Sequence, residues 1–176
     1  MKIAQSVSNL VRRFARGTSG TAAIEFSLIA LPFFSLMFAI FDASLIYFST
    51  SALENGVSSA ARLIRTGQAQ TAALTQAQFR TLVCNNIAPL LACDGRLMLD
   101  VRKYNSFGTI ASPPALDGNG NFTNNTQFQM GVAGDVIVVR AFYAWPMFSP
   151  TGYVFSNMSG HNRLVSASTA FKNEPF

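Results

Sequence analysis

Residues 21–56 read TAAIEFSLIALPFFSLMFAIFDASLIYFSTSALENG, and the reading of this stretch decides the fold. Phe26 to Phe41 carries no charge and is rich in Phe, Leu and Ile. That run alone is short of the roughly 20 residues a helix needs to cross a hydrocarbon core about 30 Å thick. Past a lone Asp42 the uncharged character resumes from Ala43 to Leu53, which carries the helix well above that length and predicts a membrane segment. Four basic residues, Lys2, Arg12, Arg13 and Arg16, precede Gly20 with no acid among them. By the positive-inside rule they place the N-terminus in the cytoplasm and send the rest of the chain outward. A cleaved secretory signal fits poorly: its apolar region is about 7–15 residues and ends in a small-x-small site, which Ala39 and Ala43 do not provide.

Composition agrees. The chain has 176 residues, room for about one domain plus an accessory segment. Only 12% are charged against 49% apolar, with 16 Phe, which argues against disorder. The pI near 9.7 belongs to the leader, because from Thr21 onward nine basic residues face eight acidic ones. A nearly neutral body removes the electrostatic case for a nucleic-acid groove, so no nucleic-acid partner is expected.

Glu25 lies just inside the apolar run. An ionised carboxylate costs about 2–3 kcal/mol at mid-bilayer, so it belongs at an interface or beside a cation. Two readings stand: a marker of the cytoplasmic headgroup level, favoured by the helix dipole, or a partner for a positive charge. Asp42 follows about 25 Å further along the helix and reads as a solvated residue of the opposite rim. Pro32 removes one backbone hydrogen bond within the span and predicts a kink or local loosening. Beyond the membrane, Leu53, Val57, Ala60, Ala61 and Ile64 recur at spacings of three and four, which continues the helix as a stem. Arg62 and Arg65 in the last turn and Gly67 after it suit a helix C-terminus near Thr66, giving about 69 Å of helix in all.

Gly20-Thr21-Ala22-Ala23-Ile24-Glu25-Phe26, with basic residues before it and an apolar helix after it, resembles the processing site of type IV prepilins and pseudopilins. It is similar in particular to the TadE group of the bacterial tight-adherence (Tad, Flp-type) pilus system. The likeness continues through Ala52-Leu53-Glu54-Asn55, Ala60 to Gly67, and Ala167 to Phe176. The resemblance implies cleavage between Gly20 and Thr21 by a membrane prepilin peptidase, with Gly17, Ser19, Gly20, Thr21 and Ala22 as small residues that admit it. It implies that Glu25, beside Phe26, meets the new α-amino group of an adjacent subunit as helices pack. It also implies a pilin-like α+β plan and an inner-membrane location with a periplasmic head. The partners it implies are the peptidase, the major pilin, sister pseudopilins and the inner-membrane assembly platform.

The expected organisation is a basic leader over 1–20, membrane helix and stem over 21–66, a linker over 67–73 and a periplasmic head over 74–176. In the head, Leu74 to Phe79 reads as a helix start, with Thr75 as N-cap, Gln78 as its reciprocal partner and Leu74 against Phe79 as a staple. Phe79, Leu82, Val83 and Ile87 form the apolar stripe, and Pro89 limits the helix. Cys84 and Cys93 are the only cysteines, expected to form one disulfide outside the cytoplasm; two buried free thiols are the alternative. Leu97, Leu99 and Val101 alternate with Met98, Asp100 and Arg102, a strand with one buried face. Val136 to Trp145 and Leu164 to Lys172 read as two more, with Val165, Ala167, Thr169 and Phe171 on one side of the last. The fold class is therefore α+β, a long helix carrying a small, mainly antiparallel head, with strand order unreadable.

Little in the head points to chemistry. Asp117-Gly118-Asn119-Gly120-Asn121 opens like a calcium loop, but Phe122 and Phe128 stand where the turn Gly and the bidentate Glu belong, so a tight turn is expected. Asn121, Asn124 and Asn157 begin N-x-Ser/Thr triplets, which weigh little in a bacterial reading. His161 reads as a surface-loop residue, and Phe142, Tyr143, Trp145, Tyr153 and Phe155 as core packing rather than a binding face. No cofactor, metal site or enzyme activity is expected. The competing functional reading is a single-pass anchor, never processed, whose head serves as a periplasmic scaffold or adaptor.

Overall fold

The structure, a computed structural model, describes residues 20–87 and 91–176. The basic leader with Gly17 and Ser19, and Pro89, lie outside the described residues.

Helix α1 spans Thr21–Arg65, 45 residues and about 68 Å. Pro32 lies within it. Its serines cost little in an apolar setting because their hydroxyls are used locally: Ser27, Ser35 and Ser44 donate to the carbonyls of Ala23, Leu31 and Ile40 at 2.7, 2.8 and 2.8 Å. The helix ends as its chemistry predicts, with Arg62 and Arg65 in the last turn. Thr66 N–H donates to Arg62 O at 3.0 Å and Gly67 N–H to Ile64 O at 3.1 Å, Gly67 taking φ +78°. The stretch 67–73 is more than a linker: Gln68–Thr71 forms a helical turn, α2, with Ala69 fully buried in the core.

Helix α3, Gln76–Ile87, starts with the capping box the sequence predicts. Thr75 N–H donates to Gln78 Oε1 at 2.9 Å, and Gln78 N–H to Thr75 Oγ1 at 3.3 Å. Phe79, Val83 and Ile87 are its buried stripe, with Leu82 at the margin. A disulfide joins Cys84 to Cys93, with Cα atoms 6.0 Å apart. Arg80 Nη2 donates to Cys93 O at 2.9 Å, and Tyr143 Oη donates to Ala92 O at 2.9 Å, which holds the bridged loop against the sheet. Burial raises the Tyr143 phenol above its ordinary pKa, so it remains a donor.

Strands β1 (Leu97–Tyr104), β2 (Val136–Pro146) and β3 (Asn162–Lys172) form an antiparallel sheet in the order β1-β2-β3. The register aligns Val101 with Val139 and Val139 with Thr169. One face, with Leu99, Val101, Ile137, Val139, Tyr143 and Val165, packs into a single core with the stem residues Leu53, Val57, Ala60 and Ile64 and the stripe of α3. The fold is α+β, as the sequence predicts.

The second face departs from expectation. It is also buried, through Val136, Val138, Arg140, Phe142 and, on β1, Asp100, because the 105–131 segment folds over it. That segment also covers the free edge of β1: Val101 N–H donates to Gln127 O at 2.8 Å and Gln129 N–H to Val101 O at 2.9 Å. Between these anchors Phe128 stacks on Phe79 with ring centroids 5.6 Å apart. The Asp117 stretch forms the tight turn expected of it, Asp117 Oδ1 accepting from Asn119 N–H and Asn121 N–H, both at 2.9 Å.

Candidate functional site

The sequence places the expected processing motif, Gly20 to Phe26, at the entry to α1. Gly20 is exposed, and among the described residues nothing lies within 4 Å of where a Cβ would stand, so their packing does not explain the glycine. Glu25 and Phe26 are exposed one turn further on. Among the described residues Glu25 makes no ion pair. Around it Ile24, Phe26, Leu28, Ile29, Leu31 and Phe33 all project outward. Among the described residues nothing covers this apolar surface, which suits lipid or neighbouring helices. The first part of α1 is long and apolar enough to cross a membrane. Thr21–Phe41 measures about 31 Å, the thickness of a hydrocarbon core.

Asp42 corrects the sequence reading. Expected as a solvated rim residue, it is 4% exposed. Ser149 Oγ donates to its Oδ2. Thr151 Oγ1 lies 2.9 Å from Ser149 Oγ, and since the single serine proton goes to Asp42, the threonine hydroxyl donates in turn. The head thus reaches down its helix to the end of the membrane-length segment, through Ser149 and the 3₁₀ turn Pro150–Val154. The carboxylate is buried because its partner arrives from 107 residues away in sequence, which no local pattern in α1 announces.

The far end of the stem is met by the C-terminal phrase. Glu174 N–H donates to Arg65 O at 2.9 Å, and the Glu174 carboxylate pairs with Arg65 Nε at 3.1 Å. The Phe176 ring lies where a Cβ on Gly67 would stand, 2.3 Å from its Cγ, so Gly67 is required by contact as well as by φ. Buried Asn173 donates through Nδ2 to Met130 O and Val132 O, both at 3.0 Å. The stretches Ala60 to Gly67 and Ala167 to Phe176 are therefore neighbours in space.

The head holds one buried charge cluster that sequence reading missed. Asp100 is fully enclosed and accepts from Arg102 Nε at 2.8 Å, Arg140 Nε at 3.1 Å and Gln127 N–H at 2.8 Å. Burial alone would raise its pKa, but the hydrogen bonds from Arg140, Arg102 and the Gln127 amide outweigh that and hold the carboxyl below its ordinary value. Arg140 also donates to Pro113 O at 2.9 Å, so the cluster pins the covering loop rather than opening to solvent. The alternation in β1 carried a signal, an acid and a base on one face, but their burial depends on the distant loop. Among the described residues no group of three or more His, Cys, Asp or Glu could hold a metal.

His161 is exposed, edge-on to Tyr153 with centroids 4.1 Å apart. The aromatic group expected as core divides. Tyr143 is inside and Phe142 buried on the second face, Trp145 and Phe155 are half-buried, and Tyr153 is exposed. The division follows from Pro146, which ends β2 and turns the chain out toward the helix.

No curated protein and no solved structure matches the chain. The family model of TadE-like proteins matches residues 20–62, from Gly20 through the membrane-length segment and most of the stem, and over that segment the chain is similar to TadE-like proteins.

Proposed function

We propose that this chain is a minor pilin or pseudopilin that serves assembly of a Tad-type adherence pilus, and that it is matured between Gly20 and Thr21. The observation that carries the reading is the TadE-like match beginning at Gly20, directly ahead of an apolar helix whose first part, from Thr21 to Phe41, has its large Phe, Leu and Ile side chains exposed among the described residues. A prepilin peptidase would hydrolyse the Gly20–Thr21 amide with one water, leaving a carboxylate on Gly20 and an ammonium on Thr21. The glycine, exposed among the described residues, suits such access. On a helix the new ammonium and Glu25, four residues apart, share a face about 6 Å apart in rise. An ammonium of one subunit against Glu25 of the next would neutralise both charges where water is scarce and fix the stagger of packed helices. In this reading the N-terminus is cytoplasmic, the head periplasmic, and the partners are the peptidase, the major pilin, sister pseudopilins and the inner-membrane platform. The role is structural.

The test is the N-terminal mass of the protein isolated from its native membrane. A start at Thr21, lost in Gly20→Ala, supports maturation. Glu25→Ala is expected to be cleaved yet fail to co-isolate with pilin subunits. An intact Met1 start in cells with active peptidase overturns the proposal and leaves an unprocessed anchor with a scaffold head.

A further inference from the structure

From Ala141 through Gly160 the head carries no acidic or basic side chain. Within that stretch Phe148, Tyr153 and Val154 are 74%, 67% and 84% exposed. Large apolar side chains exposed within one short uncharged segment mark a surface suited to an apolar environment, here flanked by His161 against Tyr153 and Arg163 against Phe155 O. Their level along the molecule is fixed. Ser149, next to Phe148, bonds Asp42, and the 3₁₀ turn Pro150–Val154 packs on α1.

Asp42 follows directly on the ~31 Å of helix that matches a hydrocarbon core. The outward apolar surface of α1 does not stop there, because Leu45, Tyr47 and Phe48 are also exposed. Thr21–Phe48 measures about 42 Å, the thickness of a bilayer with its headgroup layers. The turn beside Asp42 therefore lies at headgroup depth, on the side of the helix where the head sits. Aromatic side chains with one polar end favour that depth, and Tyr153 and the nearby Trp145 are of that kind.

We propose that the Phe148–Val154 turn is a second membrane contact, seated in the outer headgroup layer of the bilayer that α1 crosses. It rests on the reading that α1 spans a membrane. The occupant is lipid because the turn continues the lipid-facing surface of α1 and its own residues, Phe148 to Val154, carry no charge, while the flanking Arg163, which donates to Phe155 O at 3.0 Å, suits a headgroup phosphate. The helix already holds the turn at the bilayer, so its insertion is an intramolecular step that costs less association entropy than binding from solution. The contact fixes the tilt of the head while the subunit waits in the membrane, and is given up when neighbouring subunits replace lipid.

Trp145, the sole tryptophan, reports on this contact, its ring centroid lying 6.2 Å from that of Phe148. The full chain is reconstituted at low density into phosphatidylcholine vesicles, either plain or brominated near the headgroup end of the acyl chains. Trp145 is expected to lose most of its emission in the brominated vesicles. The double variant Phe148→Ser, Val154→Ser is expected to regain it while both proteins resist carbonate extraction. The comparison of two lipids on the unaltered chain stands whether or not the variant folds. Equal emission in both lipids from a carbonate-resistant chain overturns the proposal and leaves the anchor intact. Quenching that the double variant retains in full overturns the assignment to this turn. An emission change that follows protein density instead of bromination overturns it in favour of a second copy of the chain. Release by carbonate overturns the membrane reading together with the proposal.

Discussion

Asp100 carries more of the head than its position in an alternating strand suggests. Its carboxylate takes donors from β1, from β2 and from the loop laid over both. Replacing it by Asn keeps the shape but leaves Arg140, 9% exposed, without its counter-charge. Breaking one side of a buried ion pair costs about 3–5 kcal/mol, so Asp100→Asn is expected to lower unfolding stability by about 3 kcal/mol in denaturant titrations of the full chain in detergent. The pH dependence has a definite sign. The folded pKa lies below the unfolded value of about 3.9, so the stabilisation is fully present above that pH. It is lost as pH falls through the lowered folded value, because the unfolded chain then binds the proton more readily. The parent head should therefore weaken in acid below about pH 4. The Asn variant should lack that part of the acid sensitivity; an identical acid profile would remove Asp100 from its cause.

Elements were legible where their signal was local. The 45 residues of α1, the Thr75–Gln78 box and the three strands follow from periodicity and capping chemistry confined to a few neighbouring residues. What was hidden is how elements meet. Gly56 sits mid-helix, where glycine ordinarily costs about 1 kcal/mol against alanine. It is tolerated because α3 crosses α1 there: a Cβ at Gly56 would stand 2.3 Å from Ile87 Cγ2 and 3.5 Å from Val83 O. The Ile87 methyl is branched at Cβ and buried, so it cannot swing aside. Overpacking of this kind costs about 1–3 kcal/mol, which exceeds the helix-propensity gain. Gly56→Ala is accordingly expected to destabilise the full chain by about 1 kcal/mol in thermal or denaturant unfolding. A stabilised Gly56→Ala would show that the two helices separate freely, contrary to the packing described.

At the scale of the molecule, one continuous helix joins a segment long and apolar enough to cross a membrane to the stem, and the head is fastened to it near Asp42 and again near Arg65. The stretch from Gly20 to Glu25, proposed here as the processing motif, is contiguous in sequence and lies within the family match. The fastenings could not be read from sequence, since Ser149 lies 107 residues from Asp42, and the C-terminal phrase returns to a helix end more than a hundred residues earlier. The upper fastening offers a choice between two causes. The Arg65–Glu174 pair is half exposed on both sides, and such surface pairs are worth about 0–1 kcal/mol. Asn173 is buried and its amide bridges Met130 O and Val132 O, each bond worth about 0.5–1.5 kcal/mol, with a cost of about 1–3 kcal/mol for any carbonyl left unpaired. Asn173→Ala is therefore expected to cost about 2–3 kcal/mol and Glu174→Ala less than about 1 kcal/mol. Native-state hydrogen exchange on the full chain distinguishes the two. Loss of protection around Gly131 to Asp135 in the Asn173 variant, with little change in the Glu174 variant, assigns the fastening to the buried amide. The reverse order would assign it to the charge pair, and make the attachment of head to stem sensitive to salt.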